Sequence, residues 1–214
     1  MSLHDSMSRP PGVARRRLVI GAGLVLLLVQ TPACRKSGDS DASGQGSCRK
    51  LTALSAPKLP ASLALDPAAG HSLLLRLRAS GVQAYVCRQE EGSDGAWSWQ
   101  SEGPKAELLD DDCAAYGKLT KGPTWRASGT EERGGWVSGS AVAEAPSPDS
   151  ASLPWRRLWP TNANGKSPFG RSEIILEVDT AGGKPPSDAC DGSRADARVE
   201  VPFQATYYFF GRSK

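Results

Sequence analysis

Cysteine is the residue type in this 214-residue chain whose number and spacing carry the most chemistry. The five are Cys34, Cys48, Cys87, Cys113 and Cys190. No pair is spaced C-x-x-C and none is matched with histidines, so zinc binding and thiol redox chemistry lack their ligands. Cys34 closes an apolar leader, leaving four cysteines. An even number in an exported chain implies two disulfides, with three possible connectivities. Histidine is scarcer, because His4 falls in the leader and only His71 stays. A Ser-His-Asp or Cys-His device would rest on that one residue. In DPAAGHSLLL it reads as the first residue of a strand, making a local hydrogen bond. The run Asp110, Asp111, Asp112 reads as a solvated turn, since a calcium loop needs carboxylates at alternate positions and a Gly turn. Asp188 and Asp191, flanking Cys190, read as turn formers. There is no G-x-S-x-G elbow, and no G-x-G-x-x-G follows a strand. No metal, cofactor or dinucleotide is expected, and a catalytic residue cannot be assigned.

The leader is RRRLVIGAGLVLLLVQTPAC, Arg15 to Cys34. Its apolar run, Leu18 to Val29, is 12 residues long. A membrane-spanning helix needs about 20. Basic residues, a short apolar stretch and small residues at Thr31 and Ala33 make residues 1–33 a secretory signal peptide. Cleavage after Ala33 leaves Cys34 first. That arrangement resembles a bacterial lipoprotein, whose first cysteine becomes linked to diacylglycerol, although Thr31 stands where Leu is usual and Pro32 is atypical. Lipidation of Cys34 is the preferred reading; ordinary cleavage at the same bond is the rival. Arg15 and Arg16, followed by Leu18 and Val19, also resemble a twin-arginine core, a route for folded cargo that fits poorly with disulfides formed outside.

Residues 34–47 hold no large apolar residue and are rich in Ser, Gly and Asp, the composition of a flexible tether. Residues 48–214 then form one domain. Of the 26 Lys and Arg, four lie in residues 1–33, and of the 23 Asp and Glu, one does, leaving 22 against 22. A domain without net charge or a basic cluster has no electrostatic footprint for nucleic acid.

Period-two alternation is clearest in VEVPFQATYYFF, where Val199, Val201, Phe203, Ala205, Tyr207 and Phe209 share one face. Pro202 cannot donate to a ladder and should lie near an edge or bulge, on a side without a partner. SLLLRLRA, GVQAYVCRQ, AWSWQS, GWVSGSAVAEA and SEIILEVDT also read as strands between turn-rich segments. With no helical stripe of ten residues, the expected fold is all-β: an antiparallel β-sandwich or barrel, in a single domain. Ser147 to Ser167 reads as a long irregular connection, of the kind that often carries function. Of six tryptophans, Trp97 and Trp99 share a strand face and so a common fate, with core preferred over an exposed platform. Trp155 and Trp159, with Arg156 and Arg157 between them, are the candidate ligand-binding residues on the irregular segment.

GVQAYVC at Gly81 to Cys87, GPTW at Gly122 to Trp125, LPW at Leu153 to Trp155, DTAGG at Asp179 to Gly183, Cys190, and VPFQATYYFF at Val201 to Phe210 come in an order that resembles a family of exported bacterial and fungal proteins of unknown function. The resemblance implies a secreted β-rich domain with no established activity. Some relatives bear the name malate dehydrogenase, for which this chain offers neither a glycine fingerprint nor a βαβ pattern. Relatives tend to have a histidine where this chain has Leu119, and a Gln-Arg pair where it has Leu176, Glu177 and Asp179, which reads as polar groups of a site gone missing. Cys87 and Cys190 lie inside the shared blocks, while Cys48 and Cys113 lie outside them. The resemblance therefore implies Cys87–Cys190 and Cys48–Cys113 as the disulfides. The expectation is an exported, lipid-anchored envelope protein with a non-catalytic binding or structural β domain, its partners the membrane and an unidentified polysaccharide or protein. The alternative is an envelope polysaccharide hydrolase or lyase using Asp or Glu. Clustered, partly buried carboxylates in a cleft would favour the enzyme, and a flat aromatic patch would favour binding.

Overall fold

The computed structural model describes residues 58–92, 95–129 and 134–212; the leader, the tether, Cys34 and Cys48 lie outside them. Eight antiparallel strands follow one another around a closed barrel: β1 (His71–Gln89), β2 (Trp97–Leu109), β3 (Ala115–Thr120), β4 (Thr124–Ala127), β5 (Trp136–Ala145), β6 (Trp155–Asn164), β7 (Ile174–Gly182) and β8 (Arg198–Arg212). The expectation of an all-β single domain holds, and of sandwich or barrel it is the barrel. Each strand pairs with the next, and β1 closes the ring by pairing with β8 from His71↔Arg212 to Val86↔Arg198. Closure needs bent strands, and register shifts interrupt the pairing at several places, among them Leu73/Leu75, Ala84/Tyr85 and Val178/Ala181.

The interior is filled, as eight strands allow. Alternate residues of β8, Phe203, Ala205, Tyr207 and Phe209, point inward with Leu77, Leu108, Leu119, Val137, Leu158 and Ile175 of the other strands. Trp125 of β4 sits fully buried at the centre, edge-on to Tyr207 and Phe209 at 5.2 and 5.7 Å between ring centroids. Gly139 makes room for it, since a Cβ there would stand 3.3 Å from the Trp125 ring. Phe169, on a 3-10 turn between β6 and β7, packs on Phe209 at 5.0 Å and on Tyr116 at 5.7 Å. The outward faces carry charge. Glu107, Lys118 and Arg126 stand opposite one another across β2, β3 and β4. This polarity is the reverse of a membrane-spanning barrel, whose outward band is apolar and whose lumen is polar. Among the described residues no helix is long and apolar enough to cross a membrane.

The outer face of β7 and β8 is an exception with a cover of its own. Leu176, Val178, Tyr208 and Phe210 form a second apolar cluster, against which Leu59 and Leu65 of the segment before β1 pack, together with Trp155. This accounts for the apolar residues on both faces of the last strand.

Three sequence expectations need correction. The supposed irregular connection from Ser147 to Ser167 contains β6, ten residues paired to β5 along their length. SLLLRLRA and GVQAYVCRQ are halves of one 19-residue strand. Gly81 between them marks a close approach, because a Cβ there would overlap the Lys105 carbonyl oxygen. Pro202 is not on an edge strand, for a closed ring has none. Its carbonyl accepts the Gly183 N–H just where β7 ends, so β8 before it has no β7 residue opposite, and a missing donor costs little there.

Candidate functional site at one end of the barrel

The site is built at the end where odd-numbered strands finish and even-numbered strands begin. Three of the family-like blocks are tied together there. Leu153 N–H donates to the Gly182 carbonyl at 3.0 Å, and the Thr180 hydroxyl donates to the Leu153 carbonyl at 2.5 Å. The Tyr85 hydroxyl reaches the Gly183 carbonyl at 2.5 Å. Asp179, at φ 50°, makes the bulge that turns β7 into this junction. The connection from β7 to β8 folds back over β1 and β2. Cys190 is bonded to Cys87 with Cα atoms 5.5 Å apart, and Trp99 donates its indole N–H to the Asp188 carbonyl at 3.0 Å. Trp97 and Trp99 are thus half-buried under this cover, neither central core nor open platform.

Beside that cover lies a cavity of about 260 Å³. Gln83 of β1, Gly103 and Pro104 of β2, Gly122 and Pro123 of the β3–β4 turn, and Tyr207 of β8 contribute to its wall. Its charged members are Glu102, Lys121, Arg156 and Glu177. Strand register arranges the polar core: Glu144 stands opposite Arg156, Arg156 opposite Glu177, and Glu177 opposite Tyr207, a row across β5 to β8. Tyr207 donates its hydroxyl to Glu177 Oε1 at 2.7 Å. Arg156 Nη1 lies 3.8 Å from Glu177 Oε2, and its Nε donates to Glu144 Oε1 at 2.9 Å.

Glu177 is 4 % exposed. Burial raises its pKa above the ordinary carboxylate value, against the opposing pull of Arg156 and of the Tyr207 hydrogen bond. Tyr207 is raised well above a free phenol, first by burial and then by the Glu177 charge. A phenol so raised is a poor base near neutral pH. Glu177 has one oxygen on Tyr207 and the other toward Arg156.

Gln83 differs from its neighbours. It is 6 % exposed and lines the cavity, yet its side-chain amide makes no hydrogen bond within the described residues. Its amide atoms open into the cavity rather than being sealed from solvent, so water completes them in the ligand-free protein. Its free donor and acceptor face the cavity space.

The four candidate ligand residues do not form one surface. β6 alternation turns Arg156 inward to the cavity. Trp155 packs in the outer apolar cluster, Arg157 donates to the Ala64 carbonyl at 3.0 Å, and Trp159 is 57 % exposed on the outside. His71 begins β1 as expected, but its hydrogen-bond partner is not local: Nε2 lies 3.0 Å from Glu173, 102 residues away, at the opposite end of β1 from Gln83. In the aspartate run, Asp110 Oδ1 accepts the N–H groups of Asp112 and Ala114, and Asp111 accepts from Arg76 at 2.8 Å, so this is a turn. The position read as having lost its polar group, Glu177, is a buried acid of the site. Leu119, by contrast, is a fully buried core residue. Glu177, Gln83 and Tyr207 were not singled out as a site from the sequence.

The family described as "Protein of unknown function (DUF3455)" matches residues 67–120 and 115–211. The chain belongs to this family. The matched stretch of DUF3455 begins just before β1 and ends at the penultimate residue of β8, so it takes in the barrel and its polar end together. No curated protein and no solved structure matches the chain.

Proposed function

We propose that this DUF3455 protein is an exported envelope protein, lipid-anchored through Cys34, whose barrel end binds a small ligand without transforming it. The Gln83 amide carries the binding half: it bonds to no protein group among the described residues and opens into the cavity, so a ligand that displaces water there meets a donor and an acceptor already in place. Replacing Gln83 by leucine is expected to leave the unfolding free energy of the ligand-free protein within about 1 kcal/mol of wild type, because no hydrogen bond within the described residues is lost. Denaturant unfolding measures this, and a loss of more than 1 kcal/mol would assign the amide a structural role instead.

The anchoring half rests on the signal peptide layout and on the cysteine at its end. The Cys87–Cys190 disulfide fits an oxidising compartment. Cys113 is disulfide-bonded as well, and we assign its partner as Cys48, which lies outside the described residues. The mature protein should partition with membranes, and Cys34→Ser should release it to the soluble fraction. Wild-type protein found wholly soluble, with no acyl mass on its first peptide, ends the anchoring reading.

A second reading, a polysaccharide hydrolase or lyase using Asp or Glu, is favoured by one observation: Glu177 is a buried carboxyl of raised pKa in a cavity that also holds Glu102. Against it, each carboxylate is already engaged, Glu102 by Arg198 at 3.2 Å, Glu144 by Arg156, and Glu177 by Tyr207 and Arg156.

A further inference from the structure

The charges at the barrel end do not close among themselves. Glu102, Glu144 and Glu177 each have a cationic or hydroxyl partner, and Arg156 and Arg198 are spent on them. Among the described residues lining the cavity, Lys121 is the charged group with no partner. Its stem runs close over the β2 backbone. Gly103, at φ 98°, lies beneath it, and a Cβ there would come within 3.0 to 3.2 Å of the Lys121 Cα, Cβ and Cγ. Lys121 is exposed and lines the same cavity as Gln83, a cation without an ion-pair partner among the described residues.

We infer that the ligand is a sugar acid, a single hydroxylated ring bearing a carboxylate that Lys121 and the Gln83 amide receive. The inference rests on reading the barrel end as a binding site. Size limits the ligand first: about 260 Å³ holds about nine water volumes at ~30 Å³ each, room for one ring and its substituents. Lipid tails are excluded by the filled interior, where Trp125 and Tyr207 occupy the axis. Amines are disfavoured because no carboxylate is left to receive an ammonium. Hydroxyl groups suit what remains. The Gln83 carbonyl accepts, its NH₂ donates, the Tyr207 oxygen keeps lone pairs beyond the proton it gives Glu177, and the Ser101 hydroxyl, which accepts from Gly103 N–H at 3.1 Å, keeps its proton to donate. Flat C–H surface comes from Pro104 and Pro123.

The test compares three probes of the same ring, galacturonate, galactose and galactosamine, by titration calorimetry at constant ionic strength. Galacturonate should bind at least tenfold more tightly than galactose, and galactosamine more weakly still. Lys121→Met should remove most of the galacturonate preference over galactose, and Gln83→Leu should weaken the binding of both. Near-UV circular dichroism of each variant checks that it is folded. Digalacturonate separates a free sugar acid from the end of a chain: binding as tight as the monomer means that the cavity accepts a terminal residue, and loss of binding restricts it to the free acid. Galactose binding as tightly as galacturonate, or a preference indifferent to Lys121→Met, overturns the sugar acid and leaves the site standing. No binding by any probe, or galacturonate binding unchanged by Gln83→Leu, overturns both.

Discussion

Removing the Cys87–Cys190 disulfide, as the double variant Cys87→Ala, Cys190→Ala, is expected to lower stability by about 4.7 kcal/mol, a large part of what a domain of this size possesses. The cross-link spans 103 residues and encloses nearly the whole barrel between β1 and the β7–β8 connection. In the unfolded chain it removes the conformations that a loop of about 100 residues would otherwise explore. In the folded protein it holds the cover of the polar end, so its loss should also free Trp97 and Trp99 from beneath Asp188 and Gly192. Denaturant unfolding of wild type and double variant without reductant gives the energy, and tryptophan fluorescence reports the cover. A difference under 1 kcal/mol would mean that the ring of strands alone restricts the chain as strongly. Non-reducing peptide mapping of the exported protein should find Cys87 joined to Cys190 and Cys113 joined to Cys48.

Arg156→Leu is expected to cost about 3 kcal/mol at neutral pH, because it leaves the buried Glu177 carboxylate without its cation. The cost should depend on pH in a definite direction. In the folded wild type Glu177 already holds its proton more tightly than its ordinary value of 4.5. That raised pKa means a contribution to stability fully present below about 4.5 and lost as pH rises through the folded value. Taking away Arg156, which opposes the rise, widens that window upward. The variant should therefore lie close to wild type near pH 4 and fall progressively below it toward pH 7. Urea unfolding at a series of pH values measures the gap. A gap independent of pH would mean that the leucine is felt through packing or through Glu144 rather than through Glu177.

The last strand was legible because its alternation is unbroken over twelve residues and its inward face is aromatic. β6 was not. WRRLWPTNAN carries two arginines and a proline, and Pro160 sits opposite Gly139 at a register shift, so no apolar rhythm marks it. β3 and β4, six and four residues long, are too short for a period to emerge. The polar row was hidden for a different reason. Leu176 and Val178 are buried on the outer face by the segment before β1, so Ile175 and Glu177 could not be recognised as the inward parity from hydrophobicity alone. Gln83 shares its face with Gly81 and Tyr85, neither of which tells inside from outside. Only the register across four strands brings Glu144, Arg156, Glu177 and Tyr207 into one row.

The stretch of β8 before Pro202 has a bearing on self-association. Arg198–Val201 pair with β1 on one side and extend beyond the end of β7 on the other, the kind of incomplete lane onto which a foreign strand can add. Three features guard it. Pro202 offers no N–H to a newcomer, Arg198 and Glu200 are held by Glu102 and Lys105, and the chain leading into this stretch is tied to β1 through Cys190 and Cys87. Of these, only the last can be undone by a change in redox surroundings. Protein whose cystine is reduced should thus polymerise through this lane before the barrel itself melts, and at high local density the disulfide acts as a safeguard for neighbouring copies as much as for the chain that carries it.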